Sequence, residues 1–280
     1  VRRIHRAASA TLLFCASTCL AVEIPERGTD QIAHLCLVAY GGAERWSRVR
    51  DVRYTLVSTH YMSGNQPVNE RSTEVFLRYH PRQQCRIESD TREGRRQVVI
   101  YDGEKVRVQV EGREDATDAA RRRGLRSALT TLYLFALPFN IREPGVTLTY
   151  RGQGKLDGRD IYRLQASVRP GGGPSPADTY EFLIDTETFQ VQRLVYNVAS
   201  EAVTYVVRWS DITNLDGILR PARWDYLATE KQMALTYEFR NLKLNSGLPD
   251  SLFSTQPPKP RPGARPSSRP QSAPGATPAP

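Results

Sequence analysis

The feature that most constrains this chain is a two-residue period, repeated along most of its length and broken once. In VFLRY, Val75, Leu77 and Tyr79 share a face; in KVRVQVE, Val106, Val108 and Val110 alternate with Lys105, Arg107 and Gln109. Successive side chains of a strand point to opposite faces, so this alternation describes strands with one buried and one wet face. The pattern returns in VTLTY, IYRLQASV, DTYEFLID, FQVQRLVYNV, VTYVVRWSDI, ILRPARWDYLA and MALTYEFRNLKLN, spaced by about ten to fifteen residues. Asp102-Gly103, Asp157-Gly158 and Asp216-Gly217 lie between runs and suit the left-handed backbone of tight hairpins. The prediction is a mainly β antiparallel meander of about eleven to twelve strands. In the last run Met233, Leu235, Tyr237 and Phe239 alternate, then Leu242 and Leu244 resume out of phase, which predicts a bulge that curves the sheet.

The break is EDATDAARRRGLRSALTTLYLFALPFNI, whose stretch Ser127 to Asn140 has no charged side chain. Acids near its start, an Asp118–Arg122 pair one turn apart and Pro138 at its end predict a helix. Gly124 weakens that helix by about 1 kcal/mol relative to alanine, so a kink or mobile joint is expected there. From Ser127 to Leu137 apolar residues surround the axis, and a run this short reads as a buried helix, not a membrane span. A second, shorter helix is predicted in DQIAHLCLVAYGGAERW, with Asp30 as cap, Ile32, Leu35, Cys36 and Ala39 on one face, and Gly41-Gly42 as the stop. A helix of about twenty residues is roughly 30 Å long, enough to lie across the concave face of a curved sheet. The part of its surface turned away from the sheet then needs cover, from the first helix or from a lipid.

The ends differ from this body. VRRIHR followed by AASATLLFCASTCLA has the layout of a secretory signal peptide, with cleavage expected after Ala21 and export to the periplasm or beyond. Lipoprotein anchoring at Cys15 or Cys19 is the less favoured alternative, because neither cysteine has the expected preceding residues. Residues 255–280 are proline-rich and poor in apolar side chains, which predicts a disordered tail and leaves one domain over residues 22–254. Of the net charge of +9, Arg2, Arg3 and Arg6 fall in the leader and Lys259, Arg261, Arg265 and Arg269 in the tail, leaving +2 on the body. A near-neutral body argues against nucleic-acid binding, while the basic tail suits peripheral contact with anionic lipid. Cys36 and Cys85 are a candidate disulfide between the first helix and a strand; two separate buried thiols are the other reading. No metal or cofactor is expected. His34, His60 and His80 form no H-E-x-x-H pair and no serine sits in a nucleophile elbow, so the chain is read as a non-enzyme. A carboxylate-based hydrolase is the minor alternative.

The succession of YGGAERWSRVRDVRY, VVIYDGEKV, LFALPF, YEFLIDTETFQVQRL, WSDITNLDGILRPARW and FRNLKLNSGLPDSLF resembles the LolA/LolB-like superfamily of periplasmic lipoprotein and lipid carriers, over the whole body. The resemblance implies a half-open antiparallel β-barrel with helices as a lid over its concave face. It implies an apolar cavity for acyl chains of lipids or lipoproteins, and a sheet arginine that hydrogen-bonds the lid; the sequence does not say which arginine. The expected lining is Leu129, Leu132, Tyr133, Phe135 and Leu137 from the lid, with Val106, Val108, Tyr205, Trp209, Tyr237 and Phe239 from strands. Arg122 and Arg126, of the cluster Arg121, Arg122, Arg123 and Arg126, are the candidates for an anionic headgroup. A monomer is expected. A sensor of the same fold that binds an envelope protein partner is the alternative to a carrier.

Overall fold

The computed structural model describes residues 28–168, 178–198 and 203–256. The leader and almost all of the proline-rich tail lie outside the described residues. Two short helices, α1 (Thr29–Ala39) and α2 (Ala43–Ser47), precede six strands: β1 (Asp51–Met62), β2 (Gln66–Arg78), β3 (Gln84–Asp90), β4 (Arg96–Tyr101), β5 (Val106–Val110) and β6 (Arg113–Glu114). Helix α3 (Asp118–Ala136) follows, then β7 (Val146–Leu156), β8 (Arg159–Val168), β9 (Thr179–Asp185), β10 (Val191–Val198), β11 (Val203–Leu215), β12 (Ile218–Thr229) and β13 (Gln232–Leu244).

All thirteen strands form one antiparallel sheet in the order β6-β5-β4-β3-β2-β1-β13-β12-β11-β10-β9-β8-β7. It is therefore two meanders joined where β1 pairs β13, and it is not closed, since β6 and β7 are edges. Open sheets of more than about ten strands curl, and this one holds its helices on the concave side. The predicted bulge is present: the β1–β13 register slips between Arg53 and Thr55, opposite Asn241 at φ 54°. Asp157-Gly158 and Asp216-Gly217 have positive φ at both residues, as two-residue hairpins require.

The topology explains the one helical interruption. After β6 the chain stands at one edge of the sheet and must start β7 at the other, and α3 makes that crossing. Thr117 caps it by accepting from the Ala120 amide at 3.3 Å, and it ends at Ala136, just before Pro138. Asp118 lies 3.8 Å from Arg121, not from Arg122 as the spacing suggested. No kink is needed at Gly124. An added Cβ there would stand 2.7 Å from Val108 Cγ2 and 3.3 Å from Val106 and Val99, so the glycine lets the helix press onto β4 and β5. Helix α1 buries Ile32, Ala33, Cys36 and Leu37, with Asp30 in its first turn and Gly28, not Asp30, at the cap.

Cys36 and Cys85 are buried and free, so the candidate bridge is not formed. The reason is placement: α1 packs on β7 and β8, whereas Cys85 lies on β3 in the other half of the sheet. Burial pushes the Cys36 thiol up to about 12 and the Cys85 thiol higher still. After β13 the chain straps back over the sheet. Asp51 accepts from the Ser246, Gly247 and Leu248 amides, Phe253 is buried beneath Arg78 with the guanidinium 4.7 Å from the ring, and Thr255 bonds Asp102 at 2.6 Å.

Candidate functional site

Between α3 and the half of the sheet running from β9 to β1 lies a cleft of about 780 Å³. One wall is a single face of α3. Arg123, Ser127, Thr130, Thr131 and Leu134 recur at helical spacing, with Arg126 beside them. The opposite face, including Ala128, Leu132 and Ala136, is buried in the core.

The other wall is aromatic. Each of β9 to β13 contributes one tyrosine: Tyr180, Tyr196, Tyr205, Tyr226 and Tyr237. Tyr196 is in register with Tyr180 and Tyr205, and the centroid separations along the row are 5.8, 4.9, 5.9 and 5.0 Å. Cross-strand aromatic neighbours of this kind stabilise the sheet and give a stiff surface. Burial holds the phenols of Tyr180, Tyr226 and Tyr237 above their ordinary range, so at neutral pH these three are uncharged. Beside it Trp224, Phe239, Phe135 and Tyr54 form a floor, with Trp224–Phe239 at 5.5 Å and Tyr54–Phe135 at 5.1 Å.

The far end of α3 is fastened to the sheet. Arg220 on β12 is 1% exposed; its Nη1 donates to the Leu137 carbonyl and its guanidinium lies 4.5 Å from the Phe135 ring. Desolvation lowers its pKa to about 10, leaving it a cation at neutral pH. Tyr79 Oη donates to the Leu132 carbonyl at 3.0 Å, and Asn140 Nδ2 to the Tyr133 carbonyl at 3.0 Å. Trp46 stacks on Phe139 at 4.6 Å. Arg220 thus has the arrangement that the resemblance implied and the sequence left unassigned, a sheet arginine hydrogen-bonded to the end of the crossing helix.

Of the residues expected to line a cavity, Phe135, Tyr205, Tyr237 and Phe239 do so, and Arg126 stands at its edge. Leu132, Tyr133 and Leu137 instead pack into the core, and Leu129 is half-buried away from the cleft. Val106 and Val108 meet α3 at Gly124, and Trp209 lies under Trp224 at 5.3 Å. Arg122 is exposed outside the cleft, where Arg123 takes the place expected of it. The second half of α3, from Ser127 on, has no charged side chain and so gives no charge signal for choosing a face. A finer signal was present: Ser127, Thr130, Thr131 and Leu134 fall on one side, and five successive strands carry one tyrosine each.

Among the described residues no group of three or more His, Cys, Asp or Glu is placed to hold a metal ion, and no helix is long and apolar enough to cross a membrane.

No protein-family model matches the sequence, and no curated protein aligns with it significantly. Solved structures do match. A LolA superfamily protein from Nitrosomonas europaea superposes with a TM-score of 0.54 at 11% identity, covering 81% of this chain and 98% of that one. A DUF1329 family protein from Desulfovibrio piger gives 0.52 at 14% identity, covering 81% and 97%. The chain has a LolA-like fold, a half-open antiparallel barrel with helices on its concave side.

Proposed function

We propose that this protein is an exported carrier of lipid, or of the acyl chains of a lipid-modified protein, which it shelters between α3 and the sheet. The observation that carries the reading is the cleft itself, about 780 Å³ between a fastened helix and a stiff aromatic wall, within the size range of small-molecule sites. Burying a methylene is worth about 0.8 kcal/mol, so sheltering a long acyl chain from water stabilises it by on the order of 10 kcal/mol. Arg123 and Arg126 at the cleft edge suit an anionic head while the chain lies along Trp224 and Phe239. The export signature of the leader agrees with such a role.

Native mass spectrometry of protein recovered from the export compartment, followed by solvent extraction, tests the proposal together with titration of a fluorescent fatty acid. A co-purifying amphiphile and saturable uptake are expected. Leu134→Asp and Leu235→Asp each place a charge in the cleft at half-buried positions and should abolish uptake while the fold persists. Bare polypeptide with no fatty-acid uptake, or full uptake by both variants, would remove the cleft from consideration.

A further inference from the structure

The exposed apolar surface is unevenly placed. Five large hydrophobic side chains of the described residues stand exposed, and three of them, Met62 at 61%, Val68 at 49% and Val203 at 38%, lie at one end of the sheet. Met62 closes β1, Val68 follows the turn Ser63–Asn65 on β2, and Val203 opens β11 opposite Val198. The hairpins β1–β2 and β12–β13 and the β10–β11 pair are neighbours in the sheet, so these side chains share one rim. That rim is built: Asn65 Nδ2 donates to the Lys231 carbonyl at 3.1 Å, and its Oδ1 accepts from the Met233 amide at 2.8 Å, binding the first hairpin to the second.

The cleft extends toward the same rim. Its lining includes Val198 at the end of β10, and Tyr205 and Leu235 near the starts of β11 and β13. The opposite end is stopped by α1, where the Leu219 amide donates to the Tyr40 carbonyl at 3.0 Å and Gly41 sits so close to Gly217 that a Cβ would stand 2.1 Å from its carbonyl oxygen. Between floor and rim runs the tyrosine row, the residue type that favours a boundary between apolar and wet surroundings. On the two described hairpins Glu70 is followed by Arg71 and Glu230 by Lys231, and Arg123 and Arg126 stand at the cleft edge.

Resting on the carrier reading, we infer that this rim docks on a lipid bilayer, with Met62, Val68 and Val203 entering the boundary between headgroups and acyl chains so that the cleft opens directly onto lipid. Three side chains make a shallow, reversible contact, which suits a protein that must leave again. The attraction is apolar and so differs in kind from any contact made by the cations of the tail.

The test uses the full chain, the triple variant Met62→Ser, Val68→Ser, Val203→Ser, and neutral phosphatidylcholine vesicles carrying a fluorescent fatty acid. Wild-type protein should collect the probe at a rate that rises with vesicle concentration and persists in about 1 M salt, where charges are screened beyond about 3 Å. The triple variant should collect it at least about tenfold more slowly, a factor modest beside the apolar area removed. Its uptake of the same fatty acid supplied free in solution should be unchanged, which also shows that it is folded. Collection by the variant at the wild-type rate, a rate independent of vesicle concentration, or contact confined to anionic vesicles and lost in salt would each overturn the inference. Failure of wild type to bind the free fatty acid would instead overturn the carrier reading. Docking is then read separately by flotation with neutral vesicles, where loss of wild-type flotation overturns the inference and a wild-type-only signal supports it.

Discussion

The guanidinium of Arg220, on β12, donates to the carbonyl of Leu137, the residue that follows α3, from a position sealed from solvent. A hydrogen bond to a charged group contributes about 1.5–3 kcal/mol, so the end of α3 should open roughly ten- to a hundredfold more often in Arg220→Met. Amide hydrogen exchange over residues 132–140 reads this directly. Exchange at the wild-type rate would mean that Trp46, Phe139 and the core hold the helix without the arginine.

Buried phenols set the alkaline limit. Tyr54, Tyr79 and Tyr226 are raised well above the ordinary value of 10, mainly by desolvation. A raised folded-state pKa contributes stability that is complete below the unfolded value and lost as pH climbs past it, at about 1.4 kcal/mol per pH unit for each group. Arg220, lowered to about 10, acts in the opposite sense over the same range, but it is one group against three. The buried thiols Cys36 and Cys85, whose ordinary value is about 9, act in the same sense slightly earlier, so stability should begin to fall near pH 9 and fall steeply above pH 10. Denaturant titrations at increasing pH, with tyrosinate absorbance as the second probe, should show these phenols ionising only as the protein unfolds.

Gly124→Ala tests why α3 carries a glycine. Helix propensity alone predicts a gain of about 1 kcal/mol. The 2.7 Å approach to Val108 Cγ2 predicts an overpacking cost of about 1–3 kcal/mol, and the stiffness of valine favours the cost. Net destabilisation is expected in urea melts, and it should shrink when Val108→Ala is added. A stabilised single variant would show that β5 yields.

Neither thiol should react in the native protein. Cys36 and Cys85 are both buried with raised pKa values, so a thiol reagent should label two groups of the described body only after denaturation. Reductant should leave the melting temperature unchanged.

Much of this architecture is written in short-range patterns. Two-residue alternation gave the strands, two of the three Asp-Gly pairs gave two-residue hairpins while Asp102-Gly103 lies in a longer turn with only the glycine at positive φ, and the phase slip between Phe239 and Leu242 gave the bulge, because each is a local consequence of pleat geometry. What α3 does was less legible. That it bridges β6 and β7 depends on β1 pairing with β13, residues far apart in sequence whose partnership no local pattern records. The site was read in part for the same reason. Tyr205, Tyr237 and Phe239 were found through strand phase and Phe135 through the apolar character of the helix, whereas Trp209, Val106 and Val108 carry the right phase and are covered by neighbours from elsewhere in the chain. Arg220 sits in ILRPARW beside Arg223, and only the fold makes one a sealed donor to α3 and the other a partner of Asp225 and Glu238.

Because α3 is the covalent link between the two margins of the sheet, it is moored at both ends and cannot swing away like a flap hinged on one side. On the proposed reading, a guest would enter by a tilt or slide of the helix within its moorings, with the passage widening along its flank. On that reading, a carrier built this way would keep its cover in place through each cycle of loading and release.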